Sequence, residues 1–231
     1  MKRHRFIREN FLVGMEGFSI EEKGVVDQMR NVLKLTVGEE IYIGDGKGKE
    51  AIYRIENITK SLVIISKVED ITEVREPENM THLYLAILKA DRFELAIEKA
   101  TELGVTSITP IITARTVKKE IRRERLEKII LEAAEQSGRQ ILPKLYDPIL
   151  YLQAINQDPA EMKIFFDSEG GILENKKIMK EISLYIGPEG GWTEEEMRIA
   201  QENNFQLISL GKTTLRAETA VISVLAKIIQ F

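Results

Sequence analysis

Leu184-Tyr185-Ile186-Gly187-Pro188-Glu189-Gly190-Gly191-Trp192-Thr193-Glu194-Glu195-Glu196-Met197 is the stretch on which the reading of the fold turns. A short apolar run of strand character passes straight into a glycine-rich loop and then into a helix start. The glycines let the backbone approach a ligand closely or adopt positive φ, while Pro188 removes a donor and stiffens the turn. Thr193 and Glu196 have the spacing of a capping box, Trp192 and Met197 occupy the flanking positions of a hydrophobic staple, and Glu194 to Glu196 suit the positive end of the helix dipole. The acidic triplet therefore reads as a helix start, not as a cluster of catalytic carboxylates. Alone, the loop fits a ligand cradle and a tight turn equally well.

The same grammar recurs on either side. Ile164-Phe165-Phe166 and Leu207-Ile208-Ser209-Leu210 are apolar runs followed by glycine-containing or polar loops, and Leu83 to Leu88 and Val105 to Ile112 are further strand candidates. Between them Asp91 to Leu103 is helix-like, with Phe93, Ile97 and Ala100 on one face and Gly104 as its stop. Leu126, Ile129, Ile130 and Ala133 mark a second amphipathic helix, and Ala217 to Ile229 forms a terminal helix with an apolar face. Alternation of strand and helix predicts a mostly parallel sheet covered by helices, which is an α/β fold. Ligands in such sheets bind outside the carboxyl ends of the strands, which directs attention to the loops after Phe166, Ile186 and Leu210.

The first part of the chain reads differently. From Glu39 to about Val68 it offers short strands, Glu40 to Ile43, Glu50 to Ile55 and Leu62 to Ile65, with Gly44-Asp45-Gly46-Lys47-Gly48 as a hairpin connection between the first two. That glycine run lacks the following helix and the spacing of a nucleotide-binding loop. Asp70 to Met80 is charged, contains Pro77 and has no apolar period, so the expected domains are residues 1–72, β-rich, and residues 73–231, α/β.

Composition narrows the functional classes. A chain of 231 residues with 43% hydrophobic residues is large enough to bury a core. It has no cysteine, hence no disulfide framework or thiolate nucleophile, which fits a reducing compartment. His4 and His82 are the only histidines, and solitary histidines are more often structural than metal ligands, so no metal is expected. The basic start from Arg3 to Arg8 leads into no signal-like apolar stretch, and Leu83 to Leu88 is far shorter than the roughly 20 residues of a membrane span. A cytoplasmic protein without membrane contact is expected. The formal net charge is −4, so nucleic acid would have to be held by local patches. Lys2, Arg3, Arg5 and Arg8 form one such patch. Lys118-Lys119, Arg122-Arg123 and Arg125 form another, although Glu120, Glu124 and Glu127 interrupt it like an ordinary solvated helix face.

Two more segments carry chemistry. Leu210-Gly211-Lys212-Thr213-Thr214-Leu215-Arg216-Ala217-Glu218-Thr219-Ala220 places Arg216 and Glu218 at the entrance of the terminal helix, where helix capping with an Arg–Glu pair is the plain alternative. Glu132-Ala133-Ala134-Glu135-Gln136-Ser137-Gly138-Arg139 places polar residues at a helix end, where an exposed terminus is the plain alternative. Together, and in this order, these segments and Ile186 to Gly191 closely resemble the signatures of the RsmE family of 16S ribosomal RNA uridine N3-methyltransferases. Lys99-Ala100-Thr101-Glu102-Leu103-Gly104-Val105 matches a further family segment, and the resemblance covers nearly the whole chain. Lys212-Thr213-Thr214 departs from the proline and branched aliphatic residues that family members often carry there.

The resemblance implies a small PUA-like β-barrel that binds RNA, followed by a SPOUT methyltransferase domain with a C-terminal trefoil knot, and a homodimer with its active site at the subunit interface. It implies S-adenosylmethionine as cofactor, held by Phe166, Ile186, Gly187, Pro188, Glu189, Gly190 and Gly191 on one side and by Leu210, Gly211 and Leu215 on the other. The implied substrate is 16S ribosomal RNA within the small ribosomal subunit. Uridine N3 is a poor nucleophile until it loses its proton. Arg139 and Arg216 are the candidates for positioning substrate or stabilising its charge, and Glu135 and Glu218 for assisting proton removal, with ion-pair roles as the alternative for both glutamates. Rival readings are a related methyltransferase acting on transfer RNA or on a ribose oxygen, and a noncatalytic RNA-binding assembly factor.

Overall fold

The computed structural model describes residues 3–117, 119–172 and 179–229, and the chain divides into two compact units. The first comprises Met1–Glu76 together with Ala134–Leu142. Its elements are β1 (Arg5–Ile7), β2 (Gly17–Ile20), α1 (Lys23–Asp27) running into one π-helical turn at Gln28–Val32, β3 (Glu40–Gly44), β4 (Glu50–Ile58) and β5 (Val63–Asp70). They form a five-stranded sheet in the order β1-β3-β4-β5-β2, antiparallel except for the β1–β3 pair. Strands β3 and β4 form the hairpin expected around Gly46. The sheet closes on a core of Phe6, Ile41, Ile43, Tyr53, Ile55 and Val63, with Val25 and Met29 contributed by the helical segment. Each such side chain contributes about 1.5–3 kcal/mol through removal from water.

The second unit, Pro77–Ala133 with Pro143–Phe231, carries β6 (Met80–Ala86), α2 (Ala90–Glu102), β7 (Ser107–Ile112), most of α3 (Arg123–Ser137), β8 (Lys144–Leu145), β9 (Ile149–Leu150), α4 (Tyr151–Gln157), β10 (Met162–Ile172), β11 (Glu181–Ile186), α5 (Glu194–Glu202), β12 (Gln206–Ser209) and α6 (Ala217–Ile228). Its sheet runs β12-β10-β11-β6-β7-β8, with β9 also on β7, and every pairing is parallel. The α/β class expected from the alternating runs is therefore the observed one.

Some boundaries differ from the expectation for identifiable reasons. Strand β6 starts at Met80 instead of Leu83, because Met80 to Leu85 pair with Glu181 to Ile186 and the polar Thr81 is wholly buried. Strand β10 runs on past Phe166 through polar and glycine residues, with an irregularity in its pairing to β12 between Phe166 and Gly171. Strands β1 and β2 and helix α4 are too short to show a hydrophobic period.

The order of the strands positions the site. Parallel pairing places the carboxyl ends of β10, β11, β12 and β6 at one edge of the sheet. From β12, at the sheet margin, the chain returns to pack α6 against α2, the helix that follows β6. The unit also holds an aromatic cluster of Tyr151, Phe165, Tyr185, Trp192 and Phe205, with Tyr84 stacked on Tyr185 at 4.4 Å between ring centroids.

Candidate active site

The middle of β10, around Phe166, and the loops after β11 and β12 meet around one cavity of about 470 Å³, within the range of small-molecule sites. Phe166 contributes the first wall, Ile186 to Gly191 the second, and Leu210, Gly211 and Leu215 the third. The structure thus brings together all the residues expected to hold the cofactor, with Arg216 beside them but not Glu218, and adds Asp167, Ser168, Thr213 and Thr214.

Local chemistry fixes each wall. A side chain at Gly187 would place its Cβ 2.9 Å from the Trp192 ring, so this position needs glycine for lack of room. The Trp192 indole in turn donates to the Phe166 carbonyl at 2.9 Å, joining the middle of β10 to the start of α5. Trp192 itself precedes the N-cap Thr193, whose hydroxyl accepts from the Glu196 N–H while the Glu196 carboxylate accepts from the Thr193 N–H, the complete capping box. Glu196 also accepts from the Ala114 N–H at 2.8 Å, and Arg115 donates to the Gly190 carbonyl at 2.7 Å. The segment after β7 thereby supports the glycine loop at two points. Gly211 needs glycine for a different reason: its φ of +145° is one that other residues rarely adopt, and its N–H and carbonyl both bond to the Ser209 hydroxyl.

Charge around the cavity comes partly from residues that sequence motifs did not mark. Arg92, in the first turn of α2, lines the cavity and lies 3.7 Å from a Glu189 carboxylate oxygen and 3.9 Å from one of Glu218. The other Glu218 oxygen is buried without a hydrogen-bond partner among the described residues. Glu218 therefore faces Arg92; among the described residues no ion pair joins it to Arg216, contrary to the plain reading of that segment. Arg216 lines the cavity and is exposed at the N-cap of α6. Arg92 could not have been found from periodicity, because Asp91 and Arg92 look like an ordinary polar helix start.

Glu135 and Arg139 lie in the first unit. Glu135 accepts from the Ile7 N–H and from Arg8, both at 2.9 Å. Arg139 is only 4% exposed and pairs with Glu76 at 2.8 Å, while Glu76 also accepts from the Gln140 and Ile141 N–H groups. The helix end thus exposes Gln136 and Ser137, as an ordinary terminus does, while Arg139 just beyond it is buried. In the N-terminal patch, Lys2 lies outside the described residues. Arg3 pairs with Glu40, Arg8 with Glu22 and Glu135, and Arg5 with the buried Glu50 at 2.5 Å while its guanidinium covers the Tyr42 ring. Of the second basic cluster, Lys118 is outside the described residues, and Arg123 and Arg125 are paired with Glu127, Asp147 and Glu94.

His82 bonds Ser107 through Nδ1 and Glu181 through Nε2, a structural arrangement. Among the described residues there is no group of three or more potential ligands placed to hold a metal ion, and no helix long and apolar enough to cross a membrane.

Known proteins share this fold and much of this sequence. Residues 75–229 match the RNA methyltransferase domain family and residues 29–68 the RNA methyltransferase PUA domain family. The ribosomal RNA small subunit methyltransferase E of Rickettsia conorii is 30% identical over 99% of this chain and 96% of its own length. The protein of the same name from Synechocystis is 33% identical over 87% of this chain and 69% of its own length. Among solved structures, the ribosomal RNA small subunit methyltransferase E of Neisseria gonorrhoeae bound to S-adenosyl methionine superposes with a TM-score of 0.92 at 31% identity, covering 98% of this chain and 96% of that one.

Proposed function

The chain belongs to the ribosomal RNA small subunit methyltransferase E family, and from that membership we propose that it methylates N3 of a uridine in 16S ribosomal RNA, using S-adenosylmethionine. One observation carries the reading: β10 around Phe166 and the loops after β11 and β12 line one cavity in a fold that superposes on a relative bound to that cofactor.

The residues present fit the cofactor. Phe166, Ile186, Leu210 and Leu215 offer apolar surface for a nucleoside, the glycine loops offer closely approachable backbone, and Asp167 and Glu189 offer negative charge to a cationic ligand. When bound, the cofactor supplies a methyl group already activated on a sulfonium. The chain's own task is then alignment and exclusion of water, for which fixed loops are suited. Trp192 and Arg115 hold the loop after β11 from below, and Ser209 tightens the turn at Gly211.

At the acceptor, Arg216 supplies positive charge beside the cavity. Catalytic roles for Glu135 and Arg139 would require them to exchange the partners they hold in the first unit. Contact of Arg3, Arg5 and Arg8 with phosphate would likewise compete with their carboxylates, so salt-dependent RNA binding through them is expected to be modest. The target base must be unpaired or turned out to enter the cavity. The reading places the protein in the cytoplasm, acting as a homodimer on the small ribosomal subunit.

Incubation with small ribosomal subunits and methyl-labelled cofactor, followed by mass-spectrometric mapping, tests it. One N3-methyluridine in 16S ribosomal RNA is expected. Label on transfer RNA or a ribose oxygen would overturn the assignment, and folded protein that neither transfers label nor binds the cofactor by calorimetry would point to an assembly factor.

A further inference from the structure

Arg92 stands out among the charged groups at the cavity. Its guanidinium, 36% exposed, lies between two carboxylates from separate elements, Glu189 from the loop after β11 and Glu218 from α6. At 3.7 and 3.9 Å both are ion pairs without hydrogen bonds, so a group with five N–H donors has its direction set while its donors remain available. Glu218 cannot turn away: its side chain is only 10% exposed, and its second oxygen is fully enclosed. An enclosed carboxylate whose neighbouring cation faces a ligand cavity is a fixed counter-charge. It is less suited to reach a base than the cation it holds.

We propose that Arg92 bears the negative charge of the target uracil as its N3 gives up a proton, with Glu218 as the buried counter-charge that keeps the guanidinium in place. The inference rests on the methyl-transfer reading above. As the N3–H proton leaves to solvent, the charge spreads onto the flanking carbonyl oxygens, where guanidinium N–H groups can donate to it. The N3 electron pair then forms the bond to the methyl carbon as the carbon–sulfur bond breaks with its pair remaining on sulfur. The products are N3-methyluridine, S-adenosylhomocysteine and the released proton. The other charged groups around Arg92 are Asp167 and Arg216, which line the same cavity, and its sequence neighbours Lys89 and Asp91. Glu189 and Glu218 together exceed the single charge of Arg92, and the net positive cofactor offsets that excess. Uracil deprotonation is therefore favoured only beside bound cofactor.

The test compares wild type, Arg92→Ala and Arg92→Lys on small ribosomal subunits across pH, with cofactor affinity measured by calorimetry and folding by circular dichroism. For Arg92→Ala the expected loss in kcat at neutral pH is about 10²–10³-fold, the range for removing one preorganised donor to a developing anion. Cofactor affinity should stay within about threefold, a difference of well under the 1.4 kcal/mol that a tenfold change represents. The deficit should shrink as pH rises, since hydroxide then supplies the deprotonated base, and Arg92→Lys should recover part of the loss. Wild-type turnover in Arg92→Ala would overturn the proposal. So would a deficit equal at every pH and accompanied by lost cofactor affinity, which would assign Arg92 to the cofactor carboxylate. If Arg92→Ala fails to fold, the pH dependence of Arg92→Lys against wild type decides in the same way. Absence of transfer by wild type would instead sink the functional reading itself.

Discussion

The indole N–H of Trp192 reaches across to the Phe166 carbonyl at 2.9 Å, while the ring occupies the space that a side chain at Gly187 would need. One residue thereby ties the middle of β10 to the loop that leaves β11, beside the cavity. Because Trp192 is the only tryptophan, its emission reports on that cavity.

Gly187→Ala is expected to fold with a stability loss of about 1–3 kcal/mol, the usual cost of overpacking. It should bind S-adenosylmethionine at least about tenfold more weakly, or about 1.4 kcal/mol. Titration of the cofactor against Trp192 fluorescence checks this; unchanged affinity would show that the close packing does not shape the loop.

Glu196 joins two supports of the glycine loop, capping α5 through Thr193 and accepting from Ala114 beside Arg115. Glu196→Ala should cost about 1–2 kcal/mol by denaturant unfolding, as loss of a capping residue does. It should also weaken cofactor binding, because Arg115 then loses its anchored neighbour. Arg115→Ala should weaken binding with little effect on stability, since its side chain is exposed and serves the Gly190 carbonyl.

Glu50 is almost completely enclosed and is held by Arg5 and Arg75. Glu50→Ala leaves Arg5 without its carboxylate and Arg75 with only the more distant Glu73, and a loss of about 3–5 kcal/mol is expected for breaking a buried pair from one side. Chemical denaturation of the whole chain should show this loss in the transition reported by the first unit.

Alkaline stability follows from the aromatic cluster. Burial, with the nearby Asp158 charge, pushes the Tyr84 hydroxyl up to about 12 from an ordinary value of about 10. Burial also raises Tyr151 and Tyr185. The folded state therefore keeps protons that the unfolded chain releases. The associated stability is present in full below pH 10 and is lost as pH rises through about 12. Spectrophotometric titration should show these tyrosines ionising together with loss of circular dichroism. Ionisation of all six tyrosines near pH 10 in folded protein would contradict this.

The legible parts of the fold and site are those whose cause is local. The Thr193–Glu196 box, the strand ending at Ile186 and the stop at Gly104 each depend on residues a few positions apart. What the sequence hid depends on distant partners. Arg139 looked like the exposed end of a helix because Glu76, which buries it, is remote in the chain. Arg5 looked free for phosphate because Glu50 lies on another strand. Arg92 is brought to Glu218 only by the return of α6 onto α2, which no window of sequence contains.

A crystal structure of the wild-type chain grown with S-adenosylmethionine tests the central claim most directly. The cofactor should lie between Phe166, the loop Gly187 to Gly191 and the turn from Leu210 to Leu215, with its methyl group toward Arg92 and Arg216. Density for the cofactor elsewhere, or those three loops in contact with an empty space between them too small to admit it at saturating concentration, would contradict the account.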